Sequence, residues 1–153
     1  MGVKTLSFLK TENRDFNNIL DSAQLNLVTN ETIAAAKTLT NEDSGKTFFI
    51  NQASAYEITL PLMSTIEKGW NATFVIGTVG SYAVTIANNT AEDSIVGGIA
   101  GADGGAATHA ETAVDEIVFI NGAVLGDTCT VVYNGANYCV TGYAADVAHI
   151  TVS

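Results

Sequence analysis

From Ala36 onward the apolar and polar residues alternate with a period of two. Tyr56, Ile58 and Leu60 are separated by Glu57 and Thr59, and Pro61 ends that run by removing a ladder donor. Trp70, Ala72, Phe74 and Ile76 share one phase, as do Tyr82, Val84 and Ile86, and at the end of the chain Ala148, Ile150 and Val152 alternate with His149 and Thr151. Successive side chains of a strand point to opposite faces, so each run predicts a half-buried β-strand. Two earlier strands are expected at Lys37–Leu39 and at Lys46–Ile50, separated by a turn through Asn41–Gly45.

The densest part of this pattern is Asp115–Tyr143, which predicts three strands and two turns, a meander. The apolar run Ile117–Ile120, bounded by Asp115-Glu116 and Asn121-Gly122, has the look of a strand buried on both faces. Thr128–Tyr133 and Asn137–Thr141 flank Asn134-Gly135, a pair suited to a tight antiparallel reversal. In all, about eight strands at this spacing predict an all-β fold, an antiparallel β-sandwich or jelly-roll-like domain over residues 37–153. Gly97–Ala110 is rich in small residues without a period and is expected to be a long loop.

Residues 1–36 differ. Leu6, Phe8, Leu9, Phe16, Ile19, Leu20, Leu25 and Leu27 are scattered among Asn, Asp and Thr, which predicts an N-terminal arm. Phe16, Ile19, Leu20 and Ala23 recur at helical spacing behind Asn13, so a short helix is expected there, too short to stand alone in water.

Charge narrows the set of partners. The formal net charge is −10, and Gly69 to Ser153 contains no Lys or Arg, whereas Glu92, Asp93, Asp103, Glu111, Asp115, Glu116, Asp127 and Asp146 are acidic. A surface of that sign repels phosphate and excludes nucleic acid as a partner of this half. The opening Met1–Phe8 has no apolar run of signal-peptide length, and no window approaches the roughly 20 apolar residues that cross a bilayer as a helix. Synthesis in the cytoplasm without a membrane partner is the expectation. Cys129 and Cys139 lie on the two arms of one predicted hairpin and are expected to be reduced, buried thiols, with a disulfide as the alternative.

Few residues of the chain form a recognisable reactive constellation. Ser44-Gly45-Lys46-Thr47 resembles the end of a phosphate-binding loop, but Thr40 stands where the first glycine belongs and a strand follows. His109 and His149 have no thiolate or carboxylate at metal-ligand spacing, so no metal or cofactor is expected, and His149 reads as a surface residue. No Gly-x-Ser-x-Gly elbow occurs, and the acidic pairs Glu92-Asp93 and Asp115-Glu116 point to opposite faces if they lie in strands. The expectation is a protein that is not an enzyme. Trp70, Tyr82, Tyr133, Tyr138 and Tyr143 are read as core or interface aromatics, with stacking on a sugar ring as the alternative.

Leu39-Thr40-Asn41-Glu42-Asp43-Ser44-Gly45-Lys46-Thr47-Phe48-Phe49, running into an alternating strand that closes at Leu60-Pro61, resembles the opening of small virion β domains of tailed bacteriophages. Trp70–Gly77, Ile95-Val96-Gly97-Gly98, and Gly126-Asp127 through Asn134–Tyr138 to Gly142 extend the resemblance over roughly residues 37–153. It implies a capsid decoration (cement) protein, made in the host cytoplasm and carried on the outer surface of the head. Such proteins bind the major capsid protein, commonly as homotrimers, and stabilise the capsid by bridging capsomers. On that reading Phe8, Leu9, Phe16, Ile19 and Leu20 are the capsid-anchoring candidates. The alternative is a receptor- or glycan-binding domain of a head or tail fibre, which calls for Trp70 or Tyr138 to be exposed.

Overall fold

The computed structural model describes residues 30–89 and 94–153. Those residues form twelve β-strands in two mixed sheets. In chain order they are β1 (Asn30–Ile33), β2 (Lys37–Thr38), β3 (Lys46–Asn51), β4 (Tyr56–Thr59), β5 (Asn71–Thr78), β6 (Val84–Ala87), β7 (Ile95–Gly101), β8 (Thr108–Val114), β9 (Glu116–Phe119), β10 (Thr128–Tyr133), β11 (Tyr138–Ala144) and β12 (Ile150–Val152). The larger sheet has seven strands in the order β1-β3-β5-β10-β11-β7-β8, and the smaller has five in the order β12-β9-β6-β4-β2.

The all-β expectation holds, and the connectivity refines it. β1, β3, β4, β5 and β6 each bury one apolar phase, and the chain crosses to the other sheet at every step, with the two-residue β2 bordering β4. Odd-numbered strands β1, β3 and β5 therefore lie side by side and parallel, as do β2, β4 and β6. Antiparallel pairing enters with β8 on β7, β9 on β6, β10 on β5, β11 on β10, and β12 on β9. The two sheets are thus mixed rather than antiparallel, because a strand reached through the opposite sheet arrives pointing the same way as its predecessor.

The core between the sheets is apolar. Phe48, Ile50, Phe74, Ile76, Val131, Tyr138, Val140, Ile95 and Ile99 of the larger sheet meet Ile58, Val84, Ile86, Ile117, Phe119 and Ile150 of the smaller one. Phe48 stacks on Phe74, and Tyr138 packs edge-on against Trp70 and tilted against Tyr133. The Tyr138 hydroxyl donates to the Pro61 carbonyl and the Trp70 indole N–H to the Thr40 carbonyl, so each polar tip has a partner.

Three expectations are corrected. β1 lies within residues 1–36, so the sheet takes in the root of what reads as an arm. The predicted meander is broken at its first strand: β9 alternates buried Ile117 and Phe119 with half-buried Val118 and belongs to the smaller sheet, whereas β10 and β11 pair in the larger. Its hairpin forms as expected, with Asn134 Oδ1 accepting from the N–H groups of Ala136 and Asn137 and Gly135 at φ 100°. Finally, most of Gly97–Ala110 is strand: β7 runs through Gly101 and β8 starts at Thr108.

Gly97 shows why that stretch lacks a side-chain period. It sits at an irregularity of the β7–β8 register with φ 118°, and a Cβ there would lie 2.1 Å from the Val140 carbonyl oxygen. Both the backbone conformation and the close approach of β11 require glycine. Gly97→Ala is expected to lower stability by about 3 kcal/mol, read as an earlier denaturant midpoint with an unchanged slope.

Candidate interaction surface

Strand register lays out the outward face of the seven-stranded sheet in ranks. One rank crosses the sheet as Phe49 on β3, Val75 on β5, Thr128 on β10, Tyr143 on β11 and Ala100 on β7. The next reads Thr47, Thr73, Thr130, Thr141 and Gly98, and ends at His109 on β8. A third holds Asn71, Val132, Cys139 and Val96. The relief is uneven. Phe49, Val132 and Tyr143 project, the last 54% exposed, and Gly77 leaves the room that Phe49 occupies, since a Cβ there would lie 2.9 Å from that of Phe49. Over β7, whose outward side chains are Val96, Gly98 and Ala100, the face sinks into a trough of about 640 Å³ walled by Cys139 and Thr141 on one side and Ala107 and His109 on the other.

Three of the threonine hydroxyls on this face have partners within the sheet. The Thr73 and Thr130 hydroxyls are 2.9 Å apart and the Thr128 hydroxyl donates to the Phe74 carbonyl. Cys139, on the outward phase, accepts from the Asn134 side-chain amide, while Cys129 on the inward phase is fully buried, and burial pushes its thiol well up. The register pairs Cys129 with Gly142 and Cys139 with Val132, so the two thiols lie on opposite faces and are free.

A second polar construction lies at the other edge of the sheet, where β1 and β2 border the two sheets. Lys37 pairs with Glu31 on β1, sits 3.9 Å from Asp43, and places its ammonium 5.2 Å from the centre of the Phe48 ring. Asp43, nearly buried in a 3-10 turn, takes Lys46 at 2.7 Å and the Thr40 N–H at 2.9 Å. Burial by itself raises the Asp43 pKa, but the Lys46 bond, the Thr40 N–H and the nearby ammonium charges outweigh it and hold the carboxyl below the usual aspartate range. The Tyr56 hydroxyl donates to the Ile33 carbonyl. Chain and side chains together tie β1 to its neighbours.

His149 is not the plain surface residue that its sequence neighbourhood suggests. It closes a 3-10 turn at Val147–His149 and its Nδ1 lies 2.7 Å from Asp127 Oδ2. Asp127 is 2% exposed and accepts also from the N–H groups of Val124 and Ala145. Both carboxylate oxygens are thereby engaged, and the cluster fastens the β9–β10 loop to the β11–β12 connection. The partner lies 22 residues away in sequence, which is why spacing alone misses it. Among the described residues no group of three or more His, Cys, Asp or Glu side chains is placed to hold a metal ion.

The aromatic residues divide cleanly. Trp70 and Tyr138 are 3% and 0% exposed and belong to the core, as does Tyr133, whereas Tyr82 and Tyr143 are exposed. Of the five rings singled out in the sequence, only that second pair is accessible for ring stacking among the described residues. The anchoring candidates Phe8, Leu9, Phe16, Ile19 and Leu20, the helix expected over Asn13–Ala23 and the acidic pair Glu92-Asp93 lie outside the described residues. Among the described residues no helix is long and apolar enough to cross a membrane. In comparison with known proteins, no family model matches the chain and no curated protein matches it.

Asp43 lends itself to a pH test. Its folded pKa lies below the unfolded value of about 3.9, so its contribution is complete above that value and is lost as the pH falls through the folded one. Asp43→Asn is expected to destabilise by about 2 kcal/mol at neutral pH. The gap to the unsubstituted chain should narrow below about pH 4, measured by denaturant unfolding across an acid series.

Proposed function

We propose that this chain is a structural virion protein of a tailed bacteriophage, one that binds the outer surface of an assembled head as a homotrimer and stabilises it by bridging capsomers. The observation that carries this reading is the root of the N-terminal segment. Residues 1–29 lead directly into β1, which forms a parallel ladder with β3 and is pinned by the Glu31–Lys37 pair and, through Lys37, to Asp43 and Lys46. A load on the segment therefore passes into a seven-stranded sheet through a row of backbone hydrogen bonds. An anchor built this way needs a rigid body behind it, and the shared apolar core supplies one.

The energetic logic is mass action. A protein that binds the assembled lattice and not its separated subunits stabilises the lattice by RT ln(1 + [L]/Kd) at each site, and the gain multiplies over many sites. The role needs no reactive group. Phe8, Leu9, Phe16, Ile19 and Leu20 are the apolar side chains proposed to dock on the major capsid protein. A receptor- or glycan-binding role on a fibre has less support, since Trp70 and Tyr138, the rings it would favour, are in the core.

Deleting residues 1–29 removes the proposed anchor and leaves β1 in place. The truncated protein is expected to unfold at nearly the same denaturant concentration as the full chain and to lose its occupancy on purified heads, measured by gel densitometry. Undiminished occupancy would overturn the anchoring role.

A further inference from the structure

The outward positions of the five central strands of the larger sheet hold no charged side chain: Thr47, Phe49 and Asn51 on β3, Asn71, Thr73, Val75 and Gly77 on β5, Thr128, Thr130 and Val132 on β10, Cys139, Thr141 and Tyr143 on β11, Val96, Gly98 and Ala100 on β7. On a chain of formal net charge −10 this is a marked segregation. The smaller sheet differs, because its outward phase includes Glu57 and Glu116. We propose that the uncharged face is a self-association surface, occupied by a second copy of this chain.

Charge selects the occupant. Two copies of an acidic protein repel over most of their surfaces and can approach closely only where neither carries charge. A basic partner would instead be drawn to the carboxylates elsewhere and would gain nothing from a face stripped of them. Depletion of charge with retention of aromatic side chains is also the composition of an interface centre.

Shape and cost agree with that choice. Phe49, Val132 and Tyr143 stand proud on one part of the face, and the trough over Gly98 lies on another. When the same patch is used by both partners, the projecting part of each faces the recessed part of the other. The Thr73–Thr130 and Thr128–Phe74 hydrogen bonds already satisfy hydroxyls that would otherwise lose water on docking. Five strands about 4.8 Å apart and about 20 Å long give a projected face of roughly 500 Å². Side-chain relief enlarges it toward the ~800 Å² per partner of a standard interface. The inference goes beyond the homotrimer of the capsid reading, because a patch shared by both partners makes a two-fold contact that a three-fold ring does not contain, and it is argued from the charge distribution and relief of the folded domain and not from the N-terminal segment.

The test is sedimentation velocity of the full chain over a dilution series and at increasing salt, with alkylation of Cys139 followed in parallel. The expected result is a reversible oligomer that tightens as salt screens the repulsion between copies, with Cys139 reacting several-fold more slowly in the associated state than on dilution. Thr141→Lys, and independently Val132→Lys, should each weaken association by about 100-fold or more, because a buried ammonium has no partner there. Thr85→Lys, on the outward phase of β6, should leave it unchanged, and circular dichroism checks that each variant folds. A chain that stays monomeric at the highest concentration reached overturns the proposal, as does an oligomer that survives both substitutions. It is also overturned if Cys139 is protected in a monomer and becomes reactive when residues 1–29 are deleted, which would mean that the chain covers its own face.

Discussion

Two sheets that share one apolar layer impose a rule on the chain: a strand with a single apolar phase is stable only with the other sheet behind it. Most of what is unusual in this fold follows from that. From β1 to β6 the chain meets the requirement by alternating between sheets, which makes neighbours in each sheet parallel and separates them by a full crossing. Register is held firmly as a consequence, since sliding any strand by one residue would exchange its buried and exposed phases.

Crossing connections leave backbone groups without ladder partners, and the solution here is a set of side chains reaching out of the strands. Trp70 serves Thr40, Tyr56 serves Ile33, Tyr138 serves Pro61, and the Gln52 amide donates to the Ile120 carbonyl. Asp127 does the same work for donors, gathering two backbone N–H groups and His149. Burial, and then the neighbouring Tyr133, hold the Tyr138 phenol far above its ordinary pKa, so it stays a donor. These residues look interchangeable with other aromatic and polar residues in sequence, yet each has a specific carbonyl or amide to satisfy.

What could be read beforehand was the period of two and the turn chemistry. Both are local, so the strands at Lys46–Asn51, Tyr56–Thr59, Asn71–Thr78, Thr128–Tyr133 and Ile150–Val152 and the Asn134 hairpin were legible. Sheet membership was not, because Ile117 and Phe119 bury equally well from either side of the core. The glycines of β7 hid a strand: Gly97 and Gly98 erase the alternation, and at Gly97 the Val140 backbone of β11 leaves no room for a Cβ. The Asp127–His149 contact joins residues 22 apart in sequence that only the fold brings together. The uncharged face leaves a faint trace, in that the polar phases of β3, β5, β10 and β11 use Thr and Asn where an exposed strand more often carries Lys or Glu.

The position of β11 has a further consequence for how the molecule comes together. It joins β7 in parallel on one side and β10 on the other, and β10 in turn joins β5. Among the described strands of the larger sheet, no ladder joins β5 to the β7–β8 pair until Tyr138–Ala144 has been synthesised. The late hairpin therefore acts as a keystone, and a nascent or proteolysed chain that ends short of it holds two incomplete arches instead of one vault.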